Sequence, residues 1–300
     1  MIFVSTLDLY LKEPQITFFD KKGRTETSEY AVIGCPYDST TSRRPGTRFA
    51  PLAIRLASYE IESFSLRALE DFEDVELVDL GDIVPLYGNV EKYLARIEAV
   101  IKDLKKYNSR LKAVIIGGEH TISLAGVKAC GDIGVVVFDA HMDLRDEYPL
   151  GDKVSHATVS RRISEVVGAS NMLLLGVRAF CKDEYQYAKD NKIKFITSLQ
   201  IIRDKNNVIK KISDYVSVYD SIYLSIDIDV LDPAFAPGVT TPEPEGISAT
   251  DLLDIIYQIS ETGIKLNAVD LVEVTPPYDH SEVTSSLAAK VLMETMLAFR

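Results

Sequence analysis

The sequence predicts an α/β fold: one mainly parallel sheet of eight strands with helices on both faces. Three observations predict it. Short apolar runs alternate strictly with segments of helical periodicity. The runs are apolar or β-branched at consecutive positions, as in strands buried on both faces. Unusual polar residues gather where the runs stop, at the carboxyl ends where open parallel sheets bind ligands. No repeat, low-complexity tract or composition shift marks a linker, so residues 1–300 read as one domain with 1–29 as a lead-in.

Taken in order, Tyr30–Cys35 (YAVIGC) is the first predicted strand, stopped by Pro36. The turn-rich loop beyond gains a helical pattern from about Pro51, which a first turn accommodates. Val75–Leu80 is the second strand, closed by Gly81 and Asp82. Val90, Tyr93, Leu94, Ile97, Val100, Ile101 and Leu104 recur at i, i+3, i+4, i+7 spacing and predict an amphipathic helix. Ala113–Ile116 runs into Gly117-Gly118-Glu119-His120, with a helix from about Thr121. Ile133–Phe138 leads into Asp139-Ala140-His141-Met142-Asp143. Further strands are expected at Asn171–Val177, Ile193–Thr197, Ser221–Ile228 and Leu266–Val274. Helical patterns fall near 157–167, 182–191, 208–215 and 250–261, with a closing helix over 283–299.

Composition narrows the function classes. Hydrophobic residues make up 46% and charged residues 26%, ordinary for a globular chain with a sizeable core. The 33 basic against 45 acidic residues give −12, which disfavours nucleic acid or an anionic membrane as partner and suits a cationic ligand. The amino-terminal MIFVSTLDLYLKEP lacks a basic region and meets Asp8 early, so it reads poorly as a signal peptide. No apolar run reaches membrane-span length. Cys35, Cys130 and Cys181 are isolated and odd in number, which fits a reducing cytoplasm rather than a disulfide framework.

The chemistry gathers at the strand ends. Asp139, His141 and Asp143 are spaced by two after the fourth strand, so an extended backbone would turn them to one side. Asp227 and Asp229 repeat that spacing, with Leu224, Ile226 and Ile228 facing the other way. His120 follows the third strand and Glu273 ends the eighth. Three of the four histidines, His120, His141 and His156, fall at or just after these ends, while His280 reads as a loop or helix-start residue. A lone histidine is more often a satisfied core or surface group. Two histidines and four aspartates on one edge are too many for one zinc, which takes about three protein ligands and water in catalytic sites. They suit two metals with bridging carboxylates, and the oxygen-rich set favours Mn²⁺, with Fe, Co or Ni as misloaded alternatives. Paired ions make hydroxide available near neutral pH, so the implied chemistry is metal-assisted hydrolysis.

GGEH (Gly117–His120), DAHMD (Asp139–Asp143) and SIDIDVLDP (Ser225–Pro233), in this order and spacing, resemble the three metal-binding signatures of the ureohydrolases, the arginase and agmatinase family. The similarity runs from about Val32 to the carboxyl terminus. The resemblance implies a three-layer αβα sandwich around an eight-stranded, mainly parallel sheet, assembled as trimers or hexamers. It implies one Mn²⁺ on His120, Asp139, Asp143 and Asp227 and a second on Asp139, His141, Asp227 and Asp229, with Asp139 and Asp227 bridging. It further implies attack of hydroxide on a guanidinium carbon to give urea and an amine. In that scheme Asp143 orients the hydroxide and His156 (in SHATVSRR) shuttles protons, a task suited to a histidine titrating near neutrality. Glu273 (in DLVEVTPP) pairs with the substrate guanidinium, and Thr241 lies near it.

The substrate is carried by the loop Leu144–Ser155. Arginases have there an asparagine- and serine-rich segment that binds an α-carboxylate; this chain has Arg145, Asp146 and Glu147 instead. An acidic loop suits a substrate with an amine at its far end, hence agmatine, with putrescine as product and a role in polyamine biosynthesis. Arg145 also suits a carboxylate, as in arginine, guanidinobutyrate or formimidoylglutamate, and solvated loop charges are the plain alternative for all three residues. The chain departs from the family pattern at Ala157, usually glycine, and in GVTTPEPEG (Gly238–Gly246), where Val239, Thr240 and Glu245 replace smaller residues. A non-catalytic metal-binding scaffold would have lost ligands, and none is missing.

Overall fold

The structure, a computed structural model, describes residues 5–300, so residues 1–4 of the expected lead-in lie outside it. Among the described residues the main sheet has nine strands: β1 Leu11–Lys12, β2 Tyr30–Gly34, β3 Leu77–Ile83, β4 Lys112–Ile116, β5 Gly134–Phe138, β6 Met172–Val177, β7 Lys194–Thr197, β8 Ser221–Asp227 and β9 Lys265–Val272. Their order across the sheet is β1-β3-β2-β4-β9-β8-β5-β6-β7. β2 to β9 correspond to the eight expected strands and pair in parallel. The addition is β1, which the lead-in contributes antiparallel to β3, Leu11 opposite Ile83. It is only two residues long, too short to leave a periodic signal.

Alternation along each strand divides the core. Val136, Phe138, Leu224 and Ile226 face one layer, packed by helices Ala249–Glu261 and Val283–Ala298. Val135, Val137 and Tyr223 face the other, under helices Val90–Tyr107 and Ser123–Cys130. The first of these latter helices is capped as its sequence requires, Asn89 accepting from the Lys92 N–H.

The lead-in is more than a tail, because Phe18 is fully buried and its N–H donates to Asp79 Oδ2 at 2.8 Å. Asp79 in turn holds the buried Arg55 through two parallel bonds of 2.8 and 2.9 Å. Arg55 is 2% exposed and keeps Asp82 on its other nitrogen, but removing Asp79 leaves the buried Arg55 Nε and the Phe18 N–H without an acceptor. Asp79→Ala is therefore expected to destabilise the fold by about 3–5 kcal/mol, read from urea unfolding. A loss below about 1 kcal/mol, the range of exposed pairs, would contradict this.

Among the described residues, no helix is long and apolar enough to cross a membrane.

Candidate functional site

Chain order and sheet order disagree most at the centre. The chain passes from β4 to β5, leaving a gap of two strands that β8 and β9 fill much later. The resulting neighbours β4-β9-β8-β5 end side by side, and each delivers chemistry at its carboxyl end. β4 brings Glu119 and His120, β9 brings Glu273, β8 brings Asp227 and then Asp229, and β5 brings Asp139, His141 and Asp143.

The convergence is achieved by turns rather than by extended chain. After Phe138 the backbone leaves the strand, and Asp143 adopts a left-handed φ of 51°. Residues Ile228–Val230 form a 3-10 turn, so Asp229 swings in from a helical step. The even spacing thus brought these side chains together by a different geometry from the extended one expected. Glu273 is likewise left-handed, at φ 66°. Such conformations cost a non-glycine residue roughly 1–2 kcal/mol and gather where function demands a particular aim. Gly118 serves the same end, since a Cβ there would lie 1.9 Å from the Tyr37 carbonyl oxygen. No other residue lets the chain pass Tyr37 so closely.

Three of the four aspartates are tethered by one oxygen and turn the other toward an imidazole. Asp139 Oδ1 accepts from the His141 N–H at 2.6 Å, Asp227 Oδ1 from the Asp229 N–H at 3.0 Å, and Asp229 Oδ1 from the Ala140 N–H at 3.1 Å. The Oδ2 atoms point at the imidazoles. His120 Nδ1 lies 3.0 Å from Asp139 Oδ2, 3.2 Å from Asp143 Oδ2 and 3.3 Å from Asp227 Oδ2; His141 Nδ1 lies 3.0 Å from Asp229 Oδ2. Two groups have ligand atoms all within 4.8 Å of one another: His120 with Asp139 and Asp143, and Asp139 with His141 and Asp229.

Protein partners alone leave this cluster unsatisfied. His120 Nδ1 and Asp139 Oδ2 are buried without a hydrogen-bond partner, an arrangement native interiors avoid. Burial, and then the charge of neighbouring carboxylates, pushes the Asp227 and Asp143 carboxyls upward. Burial would also raise Asp139, but His120 and His141 outweigh it and hold that carboxyl low. Four acids and two imidazoles in one pit need positive charge at the centre, and divalent cations with O and N ligands fit the donor set.

A second layer orients the ligands. His120 Nε2 lies 3.1 Å from Ser225 Oγ, which donates to Asp270 Oδ1 at 2.7 Å, and Tyr223 donates to the same carboxylate. Ser225 and Asp270 are register partners across β8 and β9. With Nε2 engaged there, His120 turns Nδ1 to the cluster, the arrangement expected of a metal-ligating imidazole.

The cluster floors a cavity of about 470 Å³. His120, His141, Asp143, Arg145, His156, Asp227, Asp229, Thr241 and Glu273 all line it, while Asp139 is buried beneath. Asp146 and Glu147 are not among the lining residues. Asp146 is drawn onto the surface by Lys153, Arg161 and Arg162, which overrides the expectation that it faces a substrate. Arg145 lines the wall with its Nε 3.8 Å from Glu184 Oε2 and its guanidinium 5.2 Å from the Tyr148 ring centre. His280 is exposed in the turn before the closing helix, as read from sequence.

Glu273 is buried; Oε1 accepts from the His120 N–H at 2.7 Å and Oε2 from the Thr240 hydroxyl. Burial pushes its carboxyl up to about 8. Thr240, where the resemblance implies a smaller residue, thus supplies the side-chain hydroxyl that holds Glu273 Oε2. Glu245, where the resemblance implies glycine, sits at φ 64°, a left-handed conformation that favours glycine. His156 sits at the cavity wall, where burial and then the positive charge of His141 and His120 lower its imidazole to about 4, below the neutrality expected from sequence.

Sequence reasoning missed Ser225, Asp270, Thr240 and the residues around His156. A faint signal existed for Asp270, an acid inside the apolar run of β9.

A profile of the Arginase family matches residues 28–298. The chain is 35% identical to an agmatinase of Bacillus subtilis over 94% of this chain and 96% of the relative. It is 36% identical to an agmatinase of Bacillus anthracis, over 91% and 93% of the two chains. Among solved structures, the agmatine ureohydrolase of Thermoplasma volcanium is similar with a TM-score of 0.86 at 33% identity, covering 95% of this chain and 94% of that one.

Proposed function

Because the chain belongs to the arginase family, a family of metal-dependent amidinohydrolases, we propose that it hydrolyses agmatine to putrescine and urea with two Mn²⁺ per subunit. The observation that carries the reading is one cavity with His120, His141, Asp143, Asp227 and Asp229 at its floor, Asp139 just beneath, and the buried Glu273 beside them. The relatives named agmatinase support the substrate.

His120, Asp139, Asp143 and Asp227 would hold one ion, and Asp139, His141, Asp227 and Asp229 the other. Bound there, the pair polarises the reacting carbon's surroundings and makes hydroxide available near neutral pH. The chain's own residues do the rest. Glu273 pairs its carboxylate with the guanidinium and fixes its plane, with Thr241 alongside. Asp143, its open oxygen aimed into the cluster, orients the attacking oxygen. Hydrolysis breaks the C–N bond to the tail, and the departing amine needs a proton, which His156 delivers from the wall.

The tail end favours a cation. Arg178 donates only to main-chain carbonyls, among them those of Asp229, Leu231 and Glu243, so it braces the loops instead of offering its charge. Arg145 faces Glu184. Glu184 is itself taken up by Arg145 and by the Leu144 and Cys181 N–H groups, which leaves the Glu243 carboxylate on the same cavity wall to meet the tail. A terminal amine meets attraction there, and a terminal carboxylate meets repulsion. The manganese-loaded protein is therefore expected to release urea from agmatine with kcat/KM at least about tenfold above that for arginine or guanidinobutyrate. Formamide release from formimidoylglutamate completes the panel. Urea from arginine but not from agmatine would overturn the substrate, and sedimentation would show whether the protein forms the trimers or hexamers the family resemblance implies.

A further inference from the structure

We propose that Thr40 is a positioning residue that fixes the tautomer of His156, and that Glu119 in turn fixes Thr40, so that Nδ1 of His156 holds the ring proton and Nε2 is the nitrogen that takes up and delivers the transferred proton. The inference rests on the reading of His156 as the proton carrier.

A count of hydrogens supports it. A threonine hydroxyl has one proton to give and two lone pairs to receive. Thr40 gives its proton to Glu119 Oε1 at 2.6 Å. Glu119 is fully buried, and its carboxylate also accepts from the Thr40 N–H at 2.8 Å, the Thr41 hydroxyl at 3.3 Å and the Thr121 hydroxyl at 2.8 Å. With four donors turned toward it, Glu119 acts as an acceptor throughout. The Thr121 proton goes to that carboxylate, so it does not serve the Thr40 oxygen 3.2 Å away. Thr40 Oγ1 is left as an acceptor only.

Both of its lone pairs then fall to His156. One receives the His156 main-chain N–H at 3.0 Å, and the other faces Nδ1 at 3.4 Å. The second contact is a hydrogen bond only when Nδ1 carries the ring proton. Which nitrogen is protonated follows from the bond the other makes. The neutral ring therefore keeps its lone pair on Nε2, 3.3 Å from Ser42 Oγ at the cavity wall. The Tyr148 ring stands edge-on to the imidazole at 5.8 Å and limits its rotation. A carboxylate, a hydroxyl and an imidazole thus form a chain that leaves one nitrogen toward the substrate, the logic by which a third group orients a catalytic base.

The test is a cycle of Thr40→Ala, Thr40→Ser, His156→Ala and the Thr40→Ala/His156→Ala double variant, assayed on the metal-loaded protein with the substrate the panel assigns. Thr40→Ala is expected to lower kcat about 10–100-fold with KM and bound metal within about twofold. Thr40→Ser, which restores the hydroxyl, should return activity to within about threefold of the parent. In the His156→Ala background, Thr40→Ala should add nothing further. Full activity in Thr40→Ala, or additive losses in the double variant, would overturn the relay while leaving His156 as proton carrier. A fully active His156→Ala would overturn the proton-carrier reading and the relay with it. If Thr40→Ala fails to fold, Thr40→Cys, a feeble hydrogen bonder of serine's size, carries the same expectation.

Discussion

Asp143→Ala is expected to lower kcat by about 10³-fold or more and to reduce bound manganese from two ions per subunit toward one. Both losses follow from where Asp143 stands. Its Oδ2 lies 3.2 Å from His120 Nδ1, inside the group that also includes Asp139. Its backbone is held at φ 51°, a strained conformation the fold sustains only to aim this side chain. Alanine removes a ligand and the carboxylate that orients the attacking oxygen together, so rate and metal content fall in one variant. Steady-state assay with metal analysis of the dialysed protein measures both. Full activity with two ions retained would defeat the mechanism proposed for this site.

Glu273→Gln is expected to lower kcat/KM for agmatine by about 10²–10³-fold with metal content unchanged. Glu273 is buried; in the amide of the same shape the oxygen keeps the His120 N–H, and the nitrogen donates to Thr240 Oγ1, whose own proton can turn to Thr275 Oγ1 3.1 Å away, so the geometry survives the exchange. What is lost is the negative charge opposite a buried guanidinium, and truncating one partner of such a pair costs about 2–5 kcal/mol, with about 1.4 kcal/mol for each factor of ten. The contrast with Asp143→Ala is the informative part: one variant loses metal and rate, the other loses substrate recognition on an intact metal cluster. A Glu273→Gln protein with unchanged kcat/KM would remove Glu273 from substrate binding.

Both variants act on residues that stood out in the sequence. The eight parallel strands were legible because each is a short, nearly continuous apolar run between turn formers. The six candidate ligand side chains were legible because charge at the end of such a run is costly unless something neutralises it. Asp139, His141 and Asp143 lie within five residues, and Asp227 and Asp229 within three, so their grouping is local. A protein with −12 net charge and this edge already pointed to a cation-bearing site.

Tertiary structure decided what local spacing does not encode. Ser225 meets Asp270, 45 residues away, only because β8 and β9 pair in that register. Thr40 meets His156, 116 residues away, through a loop whose course no periodicity describes. Asp146 looked equivalent to Arg145 in the chain, yet Lys153, Arg161 and Arg162 draw it away from the cavity. The two-residue strand Leu11–Lys12 exists because β3 offers it an edge. By itself the sequence determined which residues bear charge at the ends of which strands, since burial and periodicity are written in neighbouring residues. Strand order, the turns at Asp143 and Asp229, and the hydroxyls set against His120 and His156 were decided by the folded chain, because a hydrogen bond depends on the distance and angle between groups that only long-range packing brings together.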